Sequence, residues 1–275
     1  MWIAIGILIF LIAFFTAYIC LIKPNTKRGK ALRPFEERYI AHRGLFDNNT
    51  GCPENSIASF QKAIDMGYCI ELDVQITADG RLVVFHDDTL LRMCGVNRYV
   101  RDCTYEELSS YPLAKTEERI PLFEDVLSFI DGRAPIVIEI KTSDMWLEAT
   151  RMTSRILDVY KGCYCVESFN PMIISWFRKN RPEVIRGQLA SDFFKDDIKM
   201  SFIRRLLLSN LMLNFKAKPD FIAYNHLRKS QPSYRLIRRL FNVKNVAWTV
   251  RSESELTEAK RVFDCIIFDS FIPGK

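Results

Sequence analysis

The sequence predicts a (β/α)₈ barrel preceded by one membrane-length N-terminal helix. Eight short apolar runs alternate with longer amphipathic segments after residue 38. Most of those runs are continuously apolar, which suits parallel strands buried on both faces. Strand alternating with helix over roughly 235 residues fits eight βα units closed into a barrel. A doubly wound open sheet is the alternative, but it normally carries a glycine-rich phosphate loop after its first strand, and none is present.

From Trp2 to Ile22 no residue is charged. A helix over that run would be roughly 30 Å long, enough to cross a bilayer's hydrocarbon core. The rival is a cleaved signal peptide, which normally wants a basic stretch ahead of the apolar one; only Met1 precedes it here. Cys20 makes a poor lipoprotein site, because bulky Tyr18 and Ile19 precede it. Lys23, Lys27, Arg28, Lys30 and Arg33 follow the span, so the positive-inside rule puts the folded domain in the cytoplasm. That cluster would also suit anionic headgroups and accounts for part of the formal charge of +6.

Residues 23–37 read as a solvated basic linker broken by Pro24, Asn25, Gly29 and Pro34. The barrel domain follows over 38–275. Its expected strands are Tyr39–Arg43, Cys69–Ile76, Ile136–Lys141, Tyr164–Ser168, Val184–Leu189, Phe221–Tyr224, Val246–Val250 and Cys265–Asp269. Expected helices include Asn55–Met66, Phe123–Ile130, Trp146–Tyr160, Pro171–Lys179, Pro232–Phe241 and Glu253–Val262, with Pro171 and Pro232 at first-turn positions. Asp79-Gly80 between Val74–Ile76 and Leu82–Phe85 signals a hairpin. Residues 87–121 then form an insertion after the second strand, which in a barrel lies over the active-site face.

Composition excludes a disordered chain: 48% of the 275 residues are hydrophobic. The 8 cysteines form no C-x-x-C pair and read as thiols in a reducing compartment. No aromatic-basic pattern asks for nucleic acid; the remaining basic residues read as solvated surface.

Four strand ends carry polar residues where a barrel places its chemistry. They are Ile40-Ala41-His42-Arg43-Gly44, Glu71-Leu72-Asp73-Val74-Gln75, Val84-Phe85-His86-Asp87 and Ile138-Glu139-Ile140-Lys141. Strand alternation puts Glu71 with Asp73 on one face, and Glu139 with Lys141. Burying Glu71, Asp73 and Glu139 together without a cation would be costly, and an all-oxygen set suits Ca²⁺ or Mg²⁺. Arg43 and Lys141 would add positive charge for a phosphate. His42 and His86 could divide the proton transfers. Each piece alone has an ordinary explanation, a surface ion pair or a solvated edge; their order and spacing carry the weight.

That ordered set resembles the glycerophosphodiester phosphodiesterases. The matching residues are His42-Arg43-Gly44, Pro53-Glu54-Asn55-Ser56, Glu71-Leu72-Asp73-Val74, His86-Asp87, Ile120-Pro121 and Glu139-Ile140-Lys141. Later similarities are Ser168-Phe169-Asn170, Trp248-Thr249-Val250 and Ile267-Phe268-Asp269. The resemblance implies a TIM barrel with a small insertion, His42 and His86 as general acid and base, and Glu71, Asp73 and Glu139 as metal ligands. It implies phosphate contacts from Arg43 and Lys141, and hydrolysis of a glycerophosphodiester to glycerol phosphate and an alcohol. The 2-hydroxyl of the glycerol would attack phosphorus first, and water would open the cyclic product. The chain departs from the family pattern at Arg92-Met93-Cys94-Gly95, more usually Arg-Thr-Thr-Gly, and at Arg251, more usually Asn.

Other residues have two readings. Trp248 could pack on the substrate or fill the core. Glu54 suits the start of a helix, where an acid complements the dipole, or contacts the site. His226 reads as a loop residue. Residues 197–215 read as an outer barrel helix or a membrane-docking segment. The functional alternatives are a lysophospholipase D-like enzyme on lipid phosphodiesters and a non-catalytic, membrane-tethered barrel that binds phosphate or lipid.

Overall fold

The computed structural model describes residues 1–196 and 198–274; Asp197, which opens the 197–215 segment, and Lys275 lie outside the described residues. The barrel strands are β1 (Ile40–Ala41), β2 (Cys69–Ile76), β4 (Ile136–Ile140), β5 (Tyr164–Ser168), β6 (Arg186–Ala190), β7 (Phe221–Asn225), β8 (Lys244–Val250) and β9 (Cys265–Phe268). β3 (Leu82–Val84) is the antiparallel hairpin arm that Asp79-Gly80 signals, with Val74 opposite Val84. Neighbouring barrel strands are parallel, and β1 closes the circle by pairing with both β9 and β2.

Alternation along the strands sorts the interior into two halves. Cys69, Val137, Cys165, Phe221, Val246 and Cys265 fill the half nearer the strand N-termini. Two residues on along their strands, Glu71, Glu139 and Glu167 stand toward the C-terminal mouth and are buried. Outer strand faces pack against the ring of helices in the main apolar cluster.

Segment 23–37 is not a solvated linker. It folds into a 3₁₀ turn, Gly29–Leu32, and a short helix, Arg33–Glu36. Leu32 and Phe35 are buried within the interior cluster, plugging the barrel's N-terminal end. An open barrel bottom exposes apolar surface, and two large side chains spaced three apart suffice to cover it. Nor does Arg28 face headgroups: it donates to the Pro182 carbonyl at 2.6 Å and meets Asp220 at 3.3 Å, beside the start of β7.

The uncharged run is one helix, Trp2–Ile22, long and apolar enough to cross a membrane, with most of it exposed. Its last turn belongs to the barrel. Ile22 is buried, Tyr18 and Ile19 pack on the main cluster, and the Asn214 side-chain amide donates to the Ile22 carbonyl at 3.0 Å.

The insertion carries its own small core of Leu90, Met93, Val100, Cys103, Leu108 and Leu113, joined to Val83 and Phe85 of the hairpin. Segment 197–215 contains the helix Phe202–Ser209, followed by a short Asn214–Ala217 helix. The cysteines of the described residues are all free, and Cys69, Cys103, Cys165 and Cys265 are buried. His226 lies in a 3₁₀ turn rather than an open loop, buried, with Nε2 3.2 Å from the Thr249 carbonyl.

Candidate active site

Strand β1 is shorter than its apolar run because the chain turns sharply at Arg43. Arg43 (φ 55°) and Gly44 (φ 79°) both adopt left-handed conformations. A Cβ on Gly44 would come within 2.4 Å of Ser59 Oγ, so this site needs glycine for both dihedral and space. The turn aims the Arg43 backbone N–H at Glu71 Oε2, 2.9 Å away, and places His42 at the mouth. His42 Nδ1 lies 2.9 Å from Asp269 Oδ2. Burial is the largest influence on Asp269 and resists its ionisation, but the hydrogen bond and charge of His42, with Ser270 and Arg251, together outweigh it and hold the carboxyl at about 2. An ionised Asp269 accepts, so Nδ1 carries the proton and Nε2 is left with a lone pair, 4.0 Å from Glu71 Oε2. Burial also lowers the His42 pKa, favouring the neutral ring.

His86 follows the hairpin arm. Its Nδ1 sits 2.7 Å from Asp87 Oδ1, and Gln75 holds the turn by donating to the Phe85 and Asp87 carbonyls, each at 2.8 Å. Arg92 grips Asp87 through Nε and Nη2, at 2.7 and 2.9 Å. The same guanidinium binds both Glu54 oxygens at 2.7 Å. Glu54 also accepts from Arg43 at 2.7 Å. Burial opposes ionisation of Glu54, yet Arg92 and Arg43 together hold its pKa down to about 2. Glu54 is therefore an ion-pair hub and not a helix-dipole acid; the helix Ile57–Asp65 begins later, and Ser56 caps it through a reciprocal Ser56–Ser59 pair.

Glu71, Asp73 and Glu139 each offer an oxygen within 4.8 Å of the other two, and all three are buried. Register explains the cluster: Asp73 pairs with Glu139, and Glu139 with Glu167 on the next strand. Burial, then repulsion from Asp73 and Glu139, pushes the Glu71 pKa well up. Burial likewise raises Glu139, against the pull of Lys141. Asp73 goes the other way: burial opposes its ionisation, but Lys141, His86 and Arg43 outweigh it. Lys141 Nζ lies 3.0 Å from Glu139 Oε1 and 3.3 Å from Asp73 Oδ1. Even so, Asp73 Oδ1 is buried with no hydrogen bond of acceptable geometry. Crowded, deprotonatable oxygens with an orphan acceptor are the donor set a hard divalent cation takes.

Trp248 packs edge to face on Phe169, centroids 5.5 Å apart, against the interior cluster, with its indole N–H buried and unpartnered. Lys141, Gln75, Asp88, Thr142, Asn170 and Arg204 line an adjoining cavity of about 560 Å³.

Five contributors were not assigned from sequence. Asn55 donates to Asp73 Oδ2 at 2.9 Å. Asp269 orients His42, and Arg251, one of the departures from the family pattern, donates to Asp269 Oδ1 at 3.0 Å. Arg92, the start of the other departure, ties Glu54 to Asp87. Glu167 is buried with burial raising its pKa strongly. Its inward phase, shared with Cys165 two positions earlier, was legible by alternation.

Fold and site together define a (β/α)₈ phosphoric diester hydrolase. The chain belongs to the glycerophosphoryl diester phosphodiesterase family, whose model matches residues 42–272. It is 40% identical over 167 residues to a glycerophosphodiester phosphodiesterase of Bacillus altitudinis, covering 56% of this chain and 67% of that protein. A lysophospholipase D of Rattus norvegicus is 34% identical over 159 residues, 53% of this chain and 49% of its own. An Oleispira antarctica phosphodiesterase, solved with its product sn-glycerol-3-phosphate, superposes with a TM-score of 0.67 at 22% identity, covering 85% of this chain and 92% of that one.

Proposed function

We propose that this chain hydrolyses glycerophosphodiesters to glycerol phosphate and an alcohol at the C-terminal mouth of the barrel, as an enzyme of lipid metabolism. The carrying observation is the pairing of two carboxylate-backed histidines, His42 and His86, with the acidic cluster Glu71, Asp73 and Glu139. Each imidazole keeps its proton on Nδ1 toward an aspartate, which leaves Nε2 for substrate. One imidazole takes the proton of the glycerol 2-hydroxyl as that oxygen attacks phosphorus; the other protonates the departing alkoxide. Water then opens the cyclic phosphate with the roles reversed. Glu71, Asp73 and Glu139 would hold Ca²⁺ or Mg²⁺, which supplies charge neutralisation at a phosphoryl oxygen. Arg43 and Lys141 contact the phosphate, and the free Trp248 N–H borders the glycerol or alcohol group.

The helix Trp2–Ile22 serves as a single-pass anchor, with the barrel on the cytoplasmic side by the charge of residues 23–33. Protease protection of the barrel in sealed, right-side-out membranes checks this orientation.

The functional test uses the full chain with each divalent cation and a panel of glycerophosphodiesters. Release of glycerol phosphate supports the assignment; no release from any substrate with either cation overturns it. A second reading, cleavage of lysophospholipids, is favoured by one observation. An apolar cleft of about 540 Å³, lined by Phe169, Met172, Phe193, Met200, Leu207 and Leu208, adjoins the mouth at Thr142 and Asn170. Relative rates on glycerophosphocholine and lysophosphatidylcholine separate the two.

A further inference from the structure

Five exposed apolar side chains at the mouth belong to one excursion. Phe194, Ile198, Phe202, Ile203 and Leu206 all lie between β6 and β7, and Phe202 and Ile203 are 68% and 67% exposed. Phe194 and Phe202 pack edge to face at 5.7 Å, so the patch is already assembled. Lys195, Lys199, Arg204 and Arg205 are interleaved with it and outnumber the neighbouring Asp192, Asp196 and Asp197. The excursion leaves β6 at its C-terminal end and therefore stands on the face that carries the catalytic residues.

The N-terminal helix is fixed to the barrel beside this patch. The Tyr18 hydroxyl bonds Ser233, which in turn donates to Asn210 at 2.6 Å, just past the helix Phe202–Ser209. Ser233 lies in the first turn of the helix after β7, at the mouth end. Seven residues on, Asn25 donates to Asp220 at 2.7 Å, immediately before β7 at the opposite end. The chain thus descends the barrel wall from Tyr18 to Asn25, and residues 2–17 project beyond the mouth.

With its last turn packed on the barrel, the helix brings the mouth face to the membrane surface, where an amphipathic element can sink about 5–10 Å into the interface. The apolar patch is the part of that face able to do so, and its basic residues match anionic headgroups.

We propose that the lip bearing Phe194, Ile198, Phe202, Ile203 and Leu206 docks in the anionic phospholipid leaflet that holds the N-terminal helix, and keeps the catalytic mouth against it. This rests on the helix being a membrane span. It makes the leaflet surface the route by which substrate reaches His42 and His86.

The test reconstitutes the full chain in vesicles of phosphatidylcholine and phosphatidylglycerol, using Phe202→Trp and, as a control, Val159→Trp. Val159 is 78% exposed and precedes β5, at the far end of the barrel. Emission gained over the parent chain is read with lipids brominated on their acyl chains, and retention is read after an alkaline wash. The expected result is a retained chain that loses the added emission at 202 and keeps it at 159. A retained chain with equal emission at both positions overturns the lip and leaves the span standing. A chain released by the wash overturns the span, and the lip with it.

Discussion

His42 Nδ1 and Asp269 Oδ2 lie 2.9 Å apart, so one hydrogen bond joins the residue after the first barrel strand to the residue after the last. The ring's tautomer depends on barrel closure. Asp269→Asn can present its amide N–H to the ring and favour the wrong tautomer. We expect kcat to fall roughly 10- to 100-fold, by analogy with other orienting partners, with KM little changed. Steady-state kinetics on a soluble glycerophosphodiester check this, and a parental kcat would remove Asp269 from the mechanism.

The acidic cluster predicts opposite effects with and without cation. Burial and carboxylate repulsion raise the Glu71 pKa, so ionised Glu71 destabilises the metal-free fold. For such a group the cost appears as pH rises through the ordinary carboxylate range and persists at neutral pH. Glu71→Gln should therefore raise the melting temperature in chelator while abolishing the stabilisation that Ca²⁺ or Mg²⁺ gives the parent chain. Calorimetric scans with and without cation would show both, and an undiminished cation response would remove Glu71 from the ligand set.

Glu54 predicts the acid limb of stability. Its pKa is held at about 2, against about 4.3 for an unperturbed glutamate. A depressed carboxyl contributes stability that is complete above the unfolded value and is lost as pH falls toward the folded one. Between about pH 5 and pH 2 the parent should therefore lose more stability than Glu54→Gln. Parallel slopes in urea unfolding across that window would contradict the ion-pair hub.

Phe35 predicts that the basic segment is part of the domain. Phe35→Ala opens a cavity at the barrel's N-terminal end and should cost about 3–5 kcal/mol by denaturant unfolding. Truncation at residue 34 removes Leu32 as well and should yield a less stable barrel than truncation at 24. Equal midpoints would return the segment to the status of a linker.

The sequence by itself determined the barrel, the helix ahead of it and which polar side chains gather at the mouth. Those features rest on local rules: continuous apolar runs for Cys69–Ile76 and Ile136–Ile140, period-two phase for Glu71, Asp73 and Glu139, and an uncharged run from Trp2 to Ile22. Tertiary structure alone decided that Asp269 meets His42, that Arg92 joins Glu54 to Asp87, and that Leu32 and Phe35 plug the barrel. It also decided that the last turn of the helix belongs to the domain, which sets the mouth toward the side from which the helix comes. Pairings across 227 residues leave no periodic trace, because they depend on strand register and closure, and neither is encoded within a window of neighbouring side chains.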